Sequence, residues 1–229
     1  MNQTLKIISA IPLFSGLPDP QLEEIGQIAL HRYYKKGEFI FYEGDNGNGF
    51  YVVFEGQVKI FKISSEGKEQ ILHILGPAEP FGEVPVFSGQ SFPATAEAIA
   101  ETHLLFFSKS AFVERITENP SLALNMLAVL SMRLRQFTVQ IENLSLKEVP
   151  ARLAGYLIYL AEEQNSKDTV TLSISKGQLA SLLGTIPETL SRIFSKMKRQ
   201  NLIEVKDRTI RLLDFGGLQE LALQGKTGS

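Results

Sequence analysis

The stretch of sequence that decides the fold is Leu183-Gly184-Thr185-Ile186-Pro187-Glu188-Thr189-Leu190-Ser191-Arg192. The residues just before it predict a short helix that ends at Gly184, and Pro187 is suited to the first turn of a longer helix that runs to Arg199. The residues that follow, 202–213, predict two strands joined by a polar tip. Two helices around a glycine turn, followed by a hairpin, are typical of a winged helix-turn-helix.

The side chains of the second predicted helix are of the types that read DNA. The first turns of such a helix enter a major groove about 12 Å wide. Glu188 can accept from a cytosine amino group, and Arg192, one turn later on the same face, can donate two hydrogen bonds to guanine. Other hydroxyl and basic side chains are candidates for contacts to bases or phosphates: Thr185, Thr189, Ser191, Lys196, Lys198, Arg199, Lys206 and Arg208. The alternative is a structural helical hairpin with a solvated polar face.

Charge is distributed unevenly along the chain. The net charge is −2 over 229 residues. Residues 147–229 contain 12 basic and 9 acidic residues, a net charge of +3, so residues 1–146 contain 11 basic and 16 acidic residues, a net charge of −5. A positive C-terminal segment on an otherwise acidic chain indicates a polyanionic partner, and double-stranded DNA is the partner that the predicted helices fit.

The composition excludes several classes of protein. The chain has no cysteine, which excludes disulfides, thiolate zinc sites, cysteine-ligated iron–sulfur clusters and thiol nucleophiles. The three histidines, His31, His73 and His103, are far apart in sequence, so a multi-histidine metal site is not expected. Neither a membrane-spanning run nor a signal-peptide pattern is found in the sequence. We therefore expect a cytoplasmic protein with no membrane partner.

Glycine-rich turn clusters separate several β-favouring runs in residues 30–110. The runs are residues 39–42, 50–54, 58–63 and 71–75. Many short strands at this spacing predict a sandwich or a barrel. A short helix is expected before them from Asp19-Pro20, where the aspartate can cap the helix and the proline fits its first turn.

A long helix is predicted to begin near Asn119-Pro120. Apolar residues recur in the run that follows at alternating spacings of three and four: Leu127, Leu130, Leu134, Phe137, Ile141 and Leu144. This a/d pattern favours a parallel coiled-coil dimer, and a single amphipathic helix packed on its own barrel is the alternative. The predicted organisation is an effector-sensing domain in residues 1–118, a dimerisation helix in 119–146 and a winged helix-turn-helix domain in 147–229.

The stretch that decides the fold, together with Gln200-Asn201-Leu202-Ile203, resembles the DNA-reading helix-turn-helix of the CRP/FNR family of transcription regulators. The resemblance covers nearly the whole chain, because Glu43-Gly44-Asp45, Gly56-Gln57-Val58 and Phe81-Gly82-Glu83 match turns of that family's β-roll. It implies an α+β fold with an N-terminal cyclic-nucleotide-binding-type β-roll (a jelly roll), a long dimerisation helix and a C-terminal winged helix-turn-helix. It also implies a homodimer that regulates transcription and is not an enzyme.

The residues of this helix-turn-helix also distinguish the receptor type from the fumarate–nitrate type within this family. Glu188, Ser191 and Arg192 match the Glu, Ser and Arg of the fumarate–nitrate type, whereas Pro187 stands in place of the first Arg of the receptor type. The match implies a palindrome with TTGA-like half-sites about one helical turn apart. It further implies that Glu188 and Arg192 read the G·C pair of the TGA core.

The sensor domain departs from two effector chemistries of the family. Oxygen sensors of the fumarate–nitrate type hold an iron–sulfur cluster through cysteines, which this chain lacks. Cyclic-nucleotide binders keep an Arg-Ser pair against the phosphate, and Ala94 stands here where that arginine is expected. On the dimer helix Phe137 replaces the threonine that reads adenine, with Thr138 beside it. Cyclic AMP is therefore disfavoured as the effector.

Residues 92–98, 121–124 and 144–147 resemble the nitric-oxide-responsive branch of the family, which comprises the dissimilatory nitrate respiration regulators and the HcpR-like regulators. This resemblance implies haem bound between the β-roll and the dimer helix. Haem needs an apolar cleft and an axial ligand, and we assign no metal ligand from the sequence. The residues expected in the effector pocket are Gly82, Glu83, Phe92, Ala94, Thr95, Leu127, Leu130, Phe137 and Thr138.

Other interpretations of the sensor domain stay open. A small organic ligand other than cyclic AMP is the second effector hypothesis, and a regulator without an effector is the third. A metal enzyme in a cupin-like β-roll is a different class, and it is disfavoured because the three histidines are widely separated and contain no H-x-H pair. Activators of this family touch RNA polymerase through surface loops, so the polymerase is a candidate partner.

Overall fold

The computed structural model describes residues 3–166 and 168–223. The outermost residues of the predicted domains, 1–2 and 224–229, lie outside the described residues. The chain divides into two compact units, Met1–Leu134 and Arg135–Ser229. The α-helices in the described residues are α1 (Gln3–Ala10), α2 (Asp19–Ile28), α3 (Val84–Phe87), α4 (Lys109–Glu118), α5 (Ser121–Leu146), α6 (Val149–Glu163), α7 (Lys176–Leu182), α8 (Pro187–Arg199) and α9 (Phe215–Leu223).

The strands of the described residues form antiparallel sheets. They are β1 (Leu30–Tyr34), β2 (Phe39–Phe41), β3 (Gly49–Glu55), β4 (Val58–Ile63), β5 (Glu69–Leu75), β6 (Pro80–Phe81), β7 (Thr95–Ala98), β8 (Thr102–Ser108), β9 (Thr169–Thr171), β10 (Ile203–Lys206) and β11 (Thr209–Leu212). The strand orders are β1-β8-β3-β6, β2-β7-β4-β5 and β10-β11-β9. The first two sheets lie in the first unit and the third lies in the second.

The two four-stranded sheets of the first unit enclose a core. Buried side chains from both sheets pack in one cluster, which contains Phe41, Val53, Val58, Leu75, Phe81, Phe92, Ala96 and Leu104. A sheet that is apolar on one face must bury that face, and here each sheet buries it against the other. The β-favouring runs predicted from the sequence form β2 to β5, so the predicted sandwich of short strands is confirmed.

A second core lies on the other face of the β1-β8-β3-β6 sheet. Phe50 of β3 and Phe107 of β8 pack there with Phe14 and Phe112, and these rings meet in stacked and edge-on contacts. Helices therefore cover one face of the β-roll. The predicted cap of α2 is wrong in its detail, because Pro18 is the N-cap residue and the side chain that precedes the helix makes no capping hydrogen bond.

The tight turn between β3 and β4 depends on Gly56. Its φ is +92°, and an added Cβ would lie 2.4 Å from the carbonyl oxygen of Glu101. Any other residue would meet both the backbone strain of positive φ and this contact. Gly56 is therefore required for the tight turn that joins β3 of one four-stranded sheet to β4 of the other.

The long helix α5 uses two faces. Leu122, Met126 and Val129 are buried within the first unit, which agrees with the alternative of a helix packed on its own barrel. Leu127, Leu134 and Ile141 are 60%, 67% and 64% exposed. The two sequence interpretations of this helix are therefore compatible, since one face contacts the chain's own core and another remains exposed.

The second unit packs helices, including α6, α7, α8 and α9, around a small sheet. Residues of α6, α7 and α8 supply most of its buried side chains, among them Leu153, Leu157, Leu179, Leu190, Phe194 and Met197. The β10-β11-β9 sheet adds Ile203, Ile210 and Val170 to the same interior. Within the described residues, no helix is both long enough and apolar enough to cross a membrane.

Candidate DNA-binding surface and effector site

Local hydrogen bonds stabilise both the start of α7 and the turn between α7 and α8. Ser175 and Gln178 form a capping box at the start of α7, each side chain bonding the other residue's backbone N–H. Gly184 has a φ of +66°, and the Thr185 N–H donates to the Ala180 carbonyl at 2.9 Å. Pro187 then occupies the first turn of α8. The predicted helix-turn-helix is thus built by the residues that the sequence indicated.

The face of α8 that looks away from the core carries the predicted reading residues. Glu188, Ser191 and Arg192 are exposed, whereas the opposite face is buried through Leu190, Ile193, Phe194 and Met197. The Arg192 guanidinium donates to the Thr189 hydroxyl at 3.1 Å. This bond restricts the long cationic side chain of Arg192 to a position along the first turns of α8.

Basic side chains continue this surface. Lys196 lies one turn after Arg192 and is exposed, and Lys206 and Arg208 are exposed beside the tip of the β10–β11 hairpin. Asp207 makes the tip with a φ of +55°. Arg211 differs from the other basic residues, because it is ion-paired with Glu204 at 2.9 Å across the hairpin. The hairpin therefore presents two cations at its tip and a neutral pair along its length.

Near the predicted effector pocket, Glu83 is engaged by a residue that the sequence analysis missed. The Arg133 guanidinium of α5 lies 2.7 Å from the Glu83 carboxylate and also donates to the Pro80 carbonyl at 2.5 Å. Both side chains are mostly buried, with 16% and 13% exposed. An arginine in a largely apolar helix is a sequence signal for such a pair, although its partner cannot be read from spacing. The pair ties α5 to the turn after β6.

The predicted pocket residues on the β-roll are packed inside it. Gly82 has a φ of +75°, and a Cβ there would lie 3.2 Å from Phe41 and 3.3 Å from Phe92. The rings of Phe92 and Phe41 are stacked at 3.7 Å. Ala94 is buried, and the Thr95 hydroxyl accepts from the Glu43 N–H at 3.0 Å. This segment thus offers no cation where the family's cyclic-nucleotide binders are expected to keep one.

The residues do not fit a haem in this arrangement. Phe92 belongs to the core between the sheets, whereas Leu130 packs against the helical core on the other side of the β1-β8-β3-β6 sheet. Leu127 is 60% exposed. Two further residues of the predicted pocket lie on the second half of α5. Phe137 is half-buried and Thr138 is exposed. An apolar cleft needs such residues on facing walls, and here Phe92 of the β-roll and Leu130 of α5 belong to different layers.

The structure brings two of the three histidines together. His31 on β1 and His103 on β8 form a hydrogen bond of 2.7 Å between Nδ1 and Nε2, although they are 72 residues apart in sequence. The antiparallel pairing of β1 with β8 brings these two residues close together in space. His73 lies apart on β5, 4.0 Å from Glu79. In the described parts of the chain, no group of three or more metal-ligating side chains could hold an ion.

Two family models match separate segments of the chain. Residues 31–119 match the family model described as a cyclic nucleotide-binding domain. Residues 151–221 match the model described as a Crp-like helix-turn-helix domain. The matched segments contain the β-roll strands and the helix-turn-helix with its hairpin.

Relatives and solved structures cover most of the chain. The cyclic AMP receptor protein of Thermus thermophilus is 31% identical over 211 residues, which are 92% of this chain and 96% of the relative. The nitrogen fixation regulation protein FixK of Rhizobium meliloti is 33% identical over 189 residues, 82% of this chain and 85% of the relative. The structure of FixK2 from Bradyrhizobium japonicum matches with a TM-score of 0.76 at 26% identity, covering 86% of this chain and 98% of that one.

These similarities define a class of DNA-binding regulators with a cyclic-nucleotide-binding-type domain. The chain belongs to the CRP/FNR family of transcription regulators. The α+β fold implied by the resemblance to this family is confirmed.

Proposed function

We propose that the protein is a homodimeric, sequence-specific transcription regulator that reads a TTGA/TCAA-like palindrome through α8. The observation that carries this proposal is the exposed row of Glu188, Ser191 and Arg192 on a helix whose other face is buried. A carboxylate and a guanidinium four residues apart can read the two bases of one G·C pair. Lys196, Lys206 and Arg208 add contacts to phosphates, which position the helix without specifying sequence.

The exposed face of α5 supports the dimer. Leu127, Leu134 and Ile141 follow one another at intervals of seven residues, and each is at least 60% exposed in the single chain. Large apolar side chains at one heptad position are covered when two helices pack in parallel. A two-fold dimer carries two copies of α8, which explains why a palindrome with half-sites about one helical turn apart is the expected target.

The effector belongs to the β-roll in this proposal. Glu83 and Arg133 join the turn after β6 to α5, and removing one partner of such a buried pair leaves an uncompensated charge. A small polar organic ligand that binds either group would change how α5 packs, provided that it binds one arrangement more tightly than the other. Because Ala94 supplies no charge for a cyclic phosphate and the apolar lining is dispersed, neither cyclic AMP nor haem with nitric oxide is the ligand we propose.

The proposal is tested by fluorescence anisotropy with the full-length protein, a TTGA/TCAA palindrome and a scrambled duplex at one salt concentration. We expect the palindrome to bind at least tenfold more tightly than scrambled DNA. Arg192→Ala should cost about 1–3 kcal/mol at the G·C pair of the TGA core and reduce discrimination there.

The matched control is Lys206→Ala at the hairpin tip. Loss of a phosphate contact should weaken binding to all sequences by a similar factor and reduce the dependence of affinity on salt. If Arg192→Ala also weakens all sequences equally, α8 does not read the G·C pair and the assignment of Arg192 is wrong.

A further inference from the structure

The two paired histidines lie on neighbouring strands, His31 on the edge strand β1 and His103 on β8. In the β1–β8 register His31 faces Leu105 and Tyr33 faces His103, so the two histidines are diagonal neighbours on the same face of the sheet. Their ring centroids are 4.9 Å apart. β1 has only one neighbour in its sheet, and His31 is exposed, so solvent ions reach the pair directly.

Aromatic side chains lie beside the two histidine rings. Tyr33 stacks on His103 with centroids 4.3 Å apart and an interplanar angle of 20°. Phe54 lies 4.4 Å from His103 on one side and 6.3 Å from His31 on the other. Tyr33 and Phe54 therefore pack mainly against His103, and the nitrogens of the two histidines lie 2.7 Å apart.

This separation is close to what a shared metal ion requires. Two imidazole nitrogens that bind one ion at about 2.0–2.1 Å lie about 2.8–3.4 Å apart, depending on the angle at the metal. The Cβ–Cγ torsion of histidine is broad, so a small rotation of each ring directs the nitrogens toward a common ion. Neutral imidazole is the form of histidine that binds a metal ion.

We propose that His31 and His103 form a two-histidine site for a divalent transition-metal ion of the class Cu²⁺, Ni²⁺ or Zn²⁺. Imidazole nitrogen suits this class, whereas Mg²⁺ and Ca²⁺ prefer oxygen. Water completes the coordination, since the described part of the chain brings no third ligating side chain into the group. The two histidines belong to the first unit and are not among the residues proposed to read DNA, so their substitution tests the metal site separately.

The test uses untagged full-length protein and Cu²⁺, which is the most sensitive probe because it binds nitrogen sites most tightly in its series. Titration calorimetry should give one tight ion per chain, and electron paramagnetic resonance should show two coordinated nitrogens. His31→Gln and His103→Gln should each weaken binding tenfold or more. His73→Gln is the control, because it removes the third histidine of the chain and should leave Cu²⁺ affinity unchanged.

Thermal unfolding supplies a second readout. An ion that binds the folded state stabilises it, so excess Cu²⁺ should raise the melting temperature of the wild-type protein and not of the two variants. Cu²⁺ affinity that is unchanged in His31→Gln and His103→Gln would overturn the site. Loss in only one of the two variants would also overturn it, because it would reduce the site to one exposed histidine.

Discussion

His73 is a largely buried titratable residue on β5. Burial, and then the positive charge of Arg133, lowers the pKa of His73 from 6.5 to about 4. The folded protein therefore keeps this imidazole neutral at pH values where the unfolded chain protonates it. Because the unfolded state binds more protons between pH 6.5 and pH 4, His73 makes the folded state less stable as the pH falls through this window.

This difference predicts a pH-dependent effect of His73→Gln. Lowering the pH from 7 to 5 should destabilise the wild-type protein by about 2 kcal/mol more than the variant, since glutamine does not titrate. The free energy of unfolding is measured by urea denaturation at both pH values for both proteins. Equal losses in the two proteins would show that His73 is protonated alike in the folded and unfolded states.

Which side chains of a single helix are exposed could be predicted from the sequence. The exposure of Glu188, Ser191 and Arg192 follows from helical spacing alone, because neighbours on a helix face are three and four residues apart. The Glu83–Arg133 pair and the His31–His103 contact depend instead on packing and on sheet register between distant segments. Neither is encoded in local spacing, which explains why both were missed.

At the scale of elements, one buried lysine links three strands. Lys59 of β4 is 8% exposed and lies 2.6 Å from Glu69 of β5 and 3.1 Å from Glu97 of β7. Its ammonium group also lies 4.2 Å from the centre of the Phe61 ring. In this part of the sheet the Lys59 ammonium group is therefore the cation that neutralises the carboxylates of Glu69 and Glu97.

Lys59→Met should therefore destabilise the protein by about 3 kcal/mol, because it leaves two partly buried carboxylates without their cation. Urea denaturation at pH 7 measures the change. Lys62→Met is the control on the same strand, where Lys62 pairs with Glu43 at 2.7 Å but both side chains are well exposed. That variant should lose about 1 kcal/mol or less. Similar losses in both variants would contradict the importance assigned to burial.

The elements that the sequence predicted are those with strong local signals. Strands between glycine turns, the long helix and the two helices around Gly184 were expected and are present. The short helices α1, α3, α4 and α9 were not predicted. Helices of this length are stabilised mainly by tertiary packing, as Phe112 of α4 shows by packing against Phe50, so periodicity alone does not reveal them.

At the scale of the whole molecule, the exposed row on α5 predicts the oligomeric state. Leu134→Glu together with Ile141→Glu places charges in the proposed interface and should convert the dimer to a monomer. Analytical ultracentrifugation measures the mass. Affinity for the palindrome should fall about 100-fold or more, since two linked reading helices bind far more tightly than one.

Val139→Glu is the matched control on the same helix. Val139 is 49% exposed and lies on a different side of α5 from Leu134 and Ile141, so its substitution should leave a dimer that binds the palindrome normally. A Leu134→Glu/Ile141→Glu protein that is still dimeric would show that the subunits associate through another surface.

The unbroken length of α5 has a mechanical consequence. At 26 residues, the helix is about 39 Å long. A rigid rod of that length amplifies angle into distance, so a tilt of about 10° at one end moves the other end by about 7 Å. That displacement is more than half the width of about 12 Å of a DNA major groove. On the scale of a DNA groove, a small change in the direction of α5 at one of its ends is therefore a large displacement at its other end.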